Sequence, residues 1–200
     1  MTAAIAALSH GCGHAGPPAI AGAPDGSGWT VVPGVPVFTE RVEDDCGRAA
    51  LTTVLARWGV ALPRPGGIGA SGVVARDGGI TAGALRDEAR RRGFASFVFA
   101  GTFDDLMVEV GAGRPVVVGL VTTDGERRMP HFAVVAGHDA SARRWLLVDP
   151  ARGVRNLSGD ALRTEWGRSG WVTLVVYPNE SAPDDRGSES NLPAPYTTSI

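Results

Sequence analysis

The spacing of apolar residues changes once along this chain, near Pro115, and that change is the strongest constraint on the fold. Before Pro115, apolar side chains recur at helical spacing, as they do from Cys46 to Trp58. After it come runs of β-branched residues, beginning with Pro115–Val121. Helices followed by strands predict an α+β fold, in which an N-terminal helical lobe packs on a C-terminal antiparallel sheet.

The same patterns predict the individual elements of the chain. An extended strand is predicted at Thr30–Val37, followed by helices at Cys46–Trp58, Thr81–Arg92 and Thr102–Val110. Strands are predicted at Pro115–Val121, His131–Gly137, Arg144–Val148 and Trp171–Tyr177.

The length of 200 residues suits one domain with terminal extensions. Residues 1–28 are rich in Ala, Gly and Pro, which predicts a disordered leader or the remnant of an export signal. Residues 179–200 are polar and predict a disordered tail. The folded domain is therefore expected at 30–178.

Composition excludes several classes of function. The net charge of -2 offers no electrostatic attraction for nucleic acid or anionic membrane. No apolar run approaches the ~20 residues of a transmembrane helix. Two cysteines are too few for a disulfide framework. No cofactor is expected.

The N-terminal segment contains one of the two cysteines, Cys12. If the natural start lies upstream, Cys12 after Gly11 is a candidate lipidation site, and the protein is exported or membrane-anchored; otherwise it is cytoplasmic. His10 and His14 flank this cysteine, but the tract lacks an evident fourth ligand, so no metal site is predicted.

The second cysteine, Cys46, stands at the start of the first predicted helix. With Asp45 as N-cap, its thiol faces unpaired backbone N–H groups and the positive end of the helix dipole, which favour the nucleophilic thiolate. Gly47 is expected to let a substrate backbone approach. The neighbouring carboxylates oppose a thiolate, so a basic partner is needed. On this segment alone, a buried structural cysteine is the commoner case.

A histidine and an aspartate lie in two strands that follow each other. A hairpin centred near Ala140 would place His131 opposite Asp149 on one face, where the carboxylate would orient and support the imidazolium. Each residue taken alone is more often structural than catalytic. His138 has the opposite parity and is predicted to be exposed on the other face.

Taken together, these segments resemble the bacteriocin-processing cysteine peptidases, or double-glycine leader peptidases, a papain-like family. The matching segments are Asp45-Cys46-Gly47, 49–51, 58–59, 113–118, 131–135 and 148–151. Their order and spacing fit over about residues 35–177. The chain has no Walker-type phosphate loop, so the resemblance is to a free-standing member rather than to one fused to a transporter.

The resemblance implies that Cys46, His131 and Asp149 form a catalytic triad that acts on an extended peptide. In this family a glutamine six residues before the cysteine stabilises the oxyanion together with the cysteine's backbone N–H. That position is Glu40 here, and the chain contains no glutamine. An ionised carboxylate cannot donate a hydrogen bond.

The sequence therefore predicts a cysteine endopeptidase for an extended peptide, with a double-glycine-type leader as one substrate. A catalytically weak or inactive papain-like module that binds peptides is the alternative. Acyl transfer through the same thiol is a third reading.

Overall fold

The computed structural model describes residues 19–20, 28–38, 46–60, 80–124 and 127–179. The helices of this part of the chain are α1 (Cys46–Arg57), α2 (Ala82–Arg91), α3 (Phe103–Gly111) and α4 (Gly159–Gly167). Its strands are β1 (Trp29–Val31), β2 (Phe94–Ala100), β3 (Val116–Asp124), β4 (Arg127–Asp139), β5 (Arg144–Asp149), β6 (Gly153–Ser158) and β7 (Val172–Pro178).

The strands form one antiparallel sheet with the spatial order β2-β7-β3-β4-β5-β6, and β1 pairs with the end of β4. The long β3–β4 hairpin lies at its centre and pairs Leu120 with His131. The core is continuous from the helices to the sheet and includes the fully buried Leu51, Leu55 and Val134. The structure thus confirms the α+β class.

Local sequence explains where two helices begin. Thr81 accepts a hydrogen bond from the Ala84 N–H at the start of α2. Thr102 and Asp105 form a reciprocal capping box at the start of α3. Both arrangements satisfy backbone N–H groups that have no partner within the helix.

The structure differs from the sequence prediction at four elements. The predicted strand Thr30–Val37 is regular only over its first two residues, which belong to β1 (Trp29–Val31), because Pro33 and Pro36 have no N–H to donate to a ladder. The strands β2 and β6 and the helix α4 were not predicted, and β2 interrupts the helical half of the chain.

Two residues of the predicted leader are part of this fold. The Ile20 N–H donates to the Val35 carbonyl at 2.9 Å, and the Ile20 side chain is buried in the core. Ala19 forms an isolated bridge with Pro36. Apart from Gly28, the rest of the leader and most of the predicted tail lie outside the described residues. Across the described ranges, no helix is sufficiently long and apolar to span a membrane.

Candidate active site

The free thiol of Cys46 stands at the first residue of α1 and is half-buried. This position gives it the unpaired N–H groups and the positive dipole end of a 12-residue helix. The predicted N-cap, Asp45, lies outside the described residues. The placement of Cys46 at the start of the first long helix matches the expectation from sequence.

Gly47 serves packing rather than substrate access, contrary to the sequence expectation. It is buried, and a Cβ atom at this position would lie 2.4 Å from Ile80 Cγ2 and 3.1 Å from Phe132 Cδ2. Helix α1 can therefore lie this close to Ile80, and with it to Phe132 of β4, only because residue 47 has no side chain. This close approach brings the neighbouring Cys46 to the histidine strand.

His131 of β4 connects the thiol to a carboxylate. Its Nε2 atom lies 2.7 Å from Asp149 Oδ1, and its ring also interacts with the Cys46 side chain. Because Nε2 is engaged by Asp149, Nδ1 is the nitrogen left for sulfur. The His131 side chain is 10% exposed and that of Asp149 is fully buried.

The pKa of His131 is raised to about 9. Burial acts to lower this pKa, but the hydrogen bonds and charges of Asp149 and Cys46 outweigh it. At neutral pH the ring is therefore an imidazolium, which donates through Nε2–H to the Asp149 carboxylate.

A β-bulge brings His131 and Asp149 to the same face of the sheet. At the turn end of the β4–β5 hairpin Gly137 pairs with Leu146, whereas further along Val134 pairs with Val148, so Ala136 is an extra residue. If the pairing at the turn end continued without the bulge, Asp149 would pair with Val134. The Val134 side chain points to the face of the sheet opposite to that of His131. With the bulge, Asp149 falls across from Ala133, diagonal to His131.

The same bulge makes the prediction for His138 wrong. Alternation without a bulge predicts an exposed side chain on the opposite face, but His138 is buried and pairs with Trp145. Its ring centroid is 5.6 Å from that of Trp145, and burial lowers its pKa. His131, and not His138, is the histidine that interacts with the Cys46 side chain.

The turn after β5 holds the Asp149 carboxylate in place. Oδ1 accepts hydrogen bonds from the backbone N–H groups of Ala151 (3.0 Å) and Arg152 (3.2 Å), as expected for an aspartate that starts an Asp-Pro turn. Burial acts to raise the pKa of Asp149, but the hydrogen bonds and the His131 and Arg155 charges lower it overall. The carboxylate is thus anionic although no solvent reaches it.

Two further charged residues belong to this cluster and were not predicted from the sequence. Arg155 of β6 lies 3.2 Å from Asp149 Oδ2, and Glu165 of α4 holds the Arg155 guanidinium. The signal for Arg155 is its register: it pairs with Leu147, which shares a face with Asp149. That signal can be read only once β6 is recognised as a strand.

The remaining sequence predictions concern residues outside the described part of the chain. These are Glu40, the predicted oxyanion residue, and the tract around Cys12. In the described residues no group of three or more His, Cys, Asp or Glu side chains is arranged to hold a metal ion.

A half-buried thiol at a helix start, next to an imidazolium that a buried carboxylate orients, is the arrangement for nucleophilic attack by a thiolate. Together with the helical lobe and antiparallel sheet, it defines the class of papain-like cysteine peptidases. The sequence model of the Peptidase C39 family matches residues 35–181. The chain belongs to this family of cysteine peptidases.

Solved structures show the same fold at low identity. The peptidase domain of Streptococcus ComA, a bi-functional ABC transporter of a quorum-sensing pathway, gives a TM-score of 0.58 at 19% identity, over 72% of this chain and 98% of that one. A double glycine motif protease from an AMS/PCAT transporter, solved with its leader peptide, gives 0.55 at 21% identity, over 72% and 92%. A C39-like protein of Bacillus anthracis gives 0.59 at 16% identity, over 72% and 95%. Among curated proteins, no match to this chain is found.

Proposed function

We propose that Cys46, His131 and Asp149 are a catalytic triad that cleaves an extended peptide internally. The observation that carries this proposal is the 2.7 Å contact between a fully buried carboxylate and the His131 ring, which also interacts with the thiol of Cys46. A buried ion pair of this kind is costly to a fold unless its groups are well paired, and perturbed ionisable groups of this kind concentrate at functional sites.

The reaction follows from the positions of these groups. The Cys46 thiolate attacks the scissile carbonyl carbon and forms a C–S bond, while the backbone N–H of Cys46 binds the developing oxyanion. The imidazolium of His131 gives its Nδ1 proton to the leaving amine as the C–N bond breaks. Water then attacks the thioester and returns a proton to His131, which releases the carboxylic acid and regenerates the thiolate.

The substrate class is an extended peptide, including a leader that ends in a double-glycine-type motif. Membership of the C39 family supports this choice, as does the related double glycine motif protease that was solved with its leader peptide. A family match of this kind supports the substrate class by analogy.

A catalytically weak module that binds peptides is the second candidate function. The observation in its favour is Glu40, which stands where the family carries an oxyanion glutamine. An ionised carboxylate there withholds one donor, a loss of about 3 to 4 kcal/mol of transition-state stabilisation in other enzymes.

A peptide-library digestion tests the triad. The Cys12→Ala protein should cleave library members internally, and the same protein with Cys46→Ala should cleave none while keeping its circular dichroism spectrum. Binding of library members without cleavage by either protein would favour the binding module instead. Fragments that appear equally with and without Cys46 would contradict the proposed nucleophile.

A further inference from the structure

The two oxygens of the Asp149 carboxylate have different partners. Oδ1 accepts from His131 Nε2 and from the backbone of the following turn. Oδ2 faces two guanidinium groups, with Arg155 Nη1 at 3.2 Å and Arg152 Nη1 at 3.6 Å. Of these two, only the Arg155 contact has hydrogen-bond distance, so Arg155 restrains Oδ2 while the turn and His131 restrain Oδ1.

Arg155 is itself held in a fixed orientation. Its Nη1 and Nη2 atoms donate to Glu165 Oε2 and Oε1 at 2.9 and 2.7 Å, which is a bidentate pair. The side chains of Arg155 and Glu165 are only 15% and 20% exposed. A planar guanidinium clamped in this way presents its remaining N–H to Asp149 with little freedom to turn away.

We propose that Arg155, clamped by Glu165, is a positioning residue of the active site, which keeps the Asp149 carboxylate anionic and aimed at His131. This inference rests on the proposed triad. It extends the row of interacting side chains by two residues, so that Cys46 at the start of α1 is connected through the sheet to α4.

The charges around Asp149 give the expected direction of a pH effect. The groups that face its carboxylate are His131 on β4, Arg152 in the turn and Arg155 on β6, with Glu165 of α4 behind Arg155. Burial acts to raise the pKa of Asp149, and the charge of Arg155 is among the causes that lower it. Removal of Arg155 therefore lets Asp149 take up a proton at higher pH, and a protonated Asp149 no longer supports the imidazolium.

A purely structural role for Arg155 makes a different prediction. An arginine that only ties β6 to α4 would contribute to the free energy of unfolding, but it would not change the pH at which Cys46 becomes reactive. The pH dependence of thiol reactivity therefore separates the two roles, and it can be measured without a known substrate.

The test is the rate of Cys46 alkylation by iodoacetamide as a function of pH, followed by intact mass in the full chain carrying Cys12→Ala. Arg155→Met should move the acid limb of this rate upward by about one pH unit, since an arginine beside an aspartate typically lowers its pKa by 1–3 units. The rate on that limb should then fall about tenfold. Arg168→Met is the matched control, because it removes an exposed guanidinium from the same cleft and should leave the limb unchanged.

Chemical rescue provides a readout that a structural role would not give. A polar cleft of about 410 Å³ borders Arg155 and Glu165. Guanidinium chloride at millimolar, non-denaturing concentration should therefore reach the space left by Arg155→Ala and move the acid limb back toward its original pH. Sodium chloride at the same ionic strength should not.

If Arg155→Met does not fold, Arg155→Lys decides the question, because it retains the positive charge but cannot form the bidentate pair with Glu165. An upward shift of the acid limb in the same direction supports the positioning role, and an unchanged limb overturns it. An unchanged limb in a folded Arg155→Met variant overturns it as well. The triad fails separately if Cys46 of the parent protein reacts no faster than the same thiol in the denatured protein.

Discussion

His131 determines the chemistry of this site at the scale of single residues, because each of its ring nitrogens has a different partner. The Nε2–H group donates a hydrogen bond to Asp149, so Nδ1 is the nitrogen available to the thiol of Cys46. The tautomer and the ring orientation are thus set by a group that the substrate never touches.

Asp149→Asn should lower kcat/KM by on the order of a hundredfold or more, as the loss of the orienting carboxylate does in other triads. The pKa of His131, about 9 in the wild type, should fall, because the hydrogen bond and charge of Asp149 help to raise it. The measurement is kcat/KM between about pH 5 and pH 10, where the alkaline limb should move to lower pH. Asp104→Asn, an exposed position in α3, is the control, and an alkaline limb that stays in place would contradict the assignment.

Glu40→Gln should raise kcat/KM by about one to two orders of magnitude, because the amide supplies a hydrogen-bond donor that an ionised carboxylate lacks. The comparison of wild type and variant is made by peptide cleavage between about pH 5 and pH 8. Equal rates across that range would show that residue 40 has no part in the oxyanion site.

At the scale of elements, the interface between α1 and β4 sets the distance from thiol to imidazole. Gly47 allows the helix to approach, and the bulge at Ala136 turns the strands so that His131 and Asp149 meet. Neither feature belongs to the triad, yet both are needed for its geometry.

Gly47→Ala should lower the free energy of unfolding by about 1 to 3 kcal/mol, because its Cβ overpacks a dense core. Gly83→Ala, in α2, should instead raise it by about 0.5 to 1 kcal/mol, since only Thr81 Oγ1 lies near the new methyl, at 3.9 Å. Urea titration of both variants measures the two values. A Gly47→Ala protein as stable as the wild type would show that α1 can move away from β4 without cost.

Much of this architecture follows from local sequence, and the exceptions have physical causes. The threonine caps predict α2 and α3, and the β-branched run predicts β3, because these signals lie within a few residues of what they specify. The strand β2 pairs with β7, which is distant in the chain, whereas β6 forms a hairpin with the preceding strand β5. The prediction missed β2 although its own Phe and Val residues favour a strand, whereas the mostly polar sequence of β6 carries little such signal.

The candidate site also combines features that the sequence predicted with features that it did not. Strand alternation and the family resemblance predicted that His131 and Asp149 share a face, which the 2.7 Å contact confirms. The predicted pairing was off by two residues because the turn is centred between Ser141 and Ala142 rather than near Ala140. His138 was assigned to the wrong face because a one-residue bulge leaves no recognised signal in the sequence. Arg155 was missed for the related reason that its register depends on β6.

At the scale of the whole molecule, two buried histidines make the stability depend on pH in opposite directions. The pKa of His131 is raised to about 9 and that of His138 is lowered by burial. A group whose pKa is raised on folding binds more protons in the native state, so its contribution to stability decreases as pH increases.

Relative to His131→Gln, the wild type should be most stable below about pH 6.5 and should lose that advantage as the pH increases through about 9. Relative to His138→Gln, the wild type should instead gain stability as the pH increases toward about 6.5, where the unfolded histidine loses its proton. Urea denaturation of the three proteins across this pH range measures both differences. A constant difference between wild type and His131→Gln would show that His131 titrates alike in the folded and unfolded chains.

The position of β7 in the sheet has a consequence for the order of events during synthesis. This last strand of the fold lies between β2 and β3, which the ribosome has made much earlier. Until Val172–Pro178 has emerged, β2 and the α2 helix packed on it have no ladder that joins them to the hairpin bearing His131. The ladder from β2 to the catalytic hairpin therefore forms only after Val172–Pro178 has been made, whereas α1, which bears the thiol, can pack on β4 before that strand is inserted.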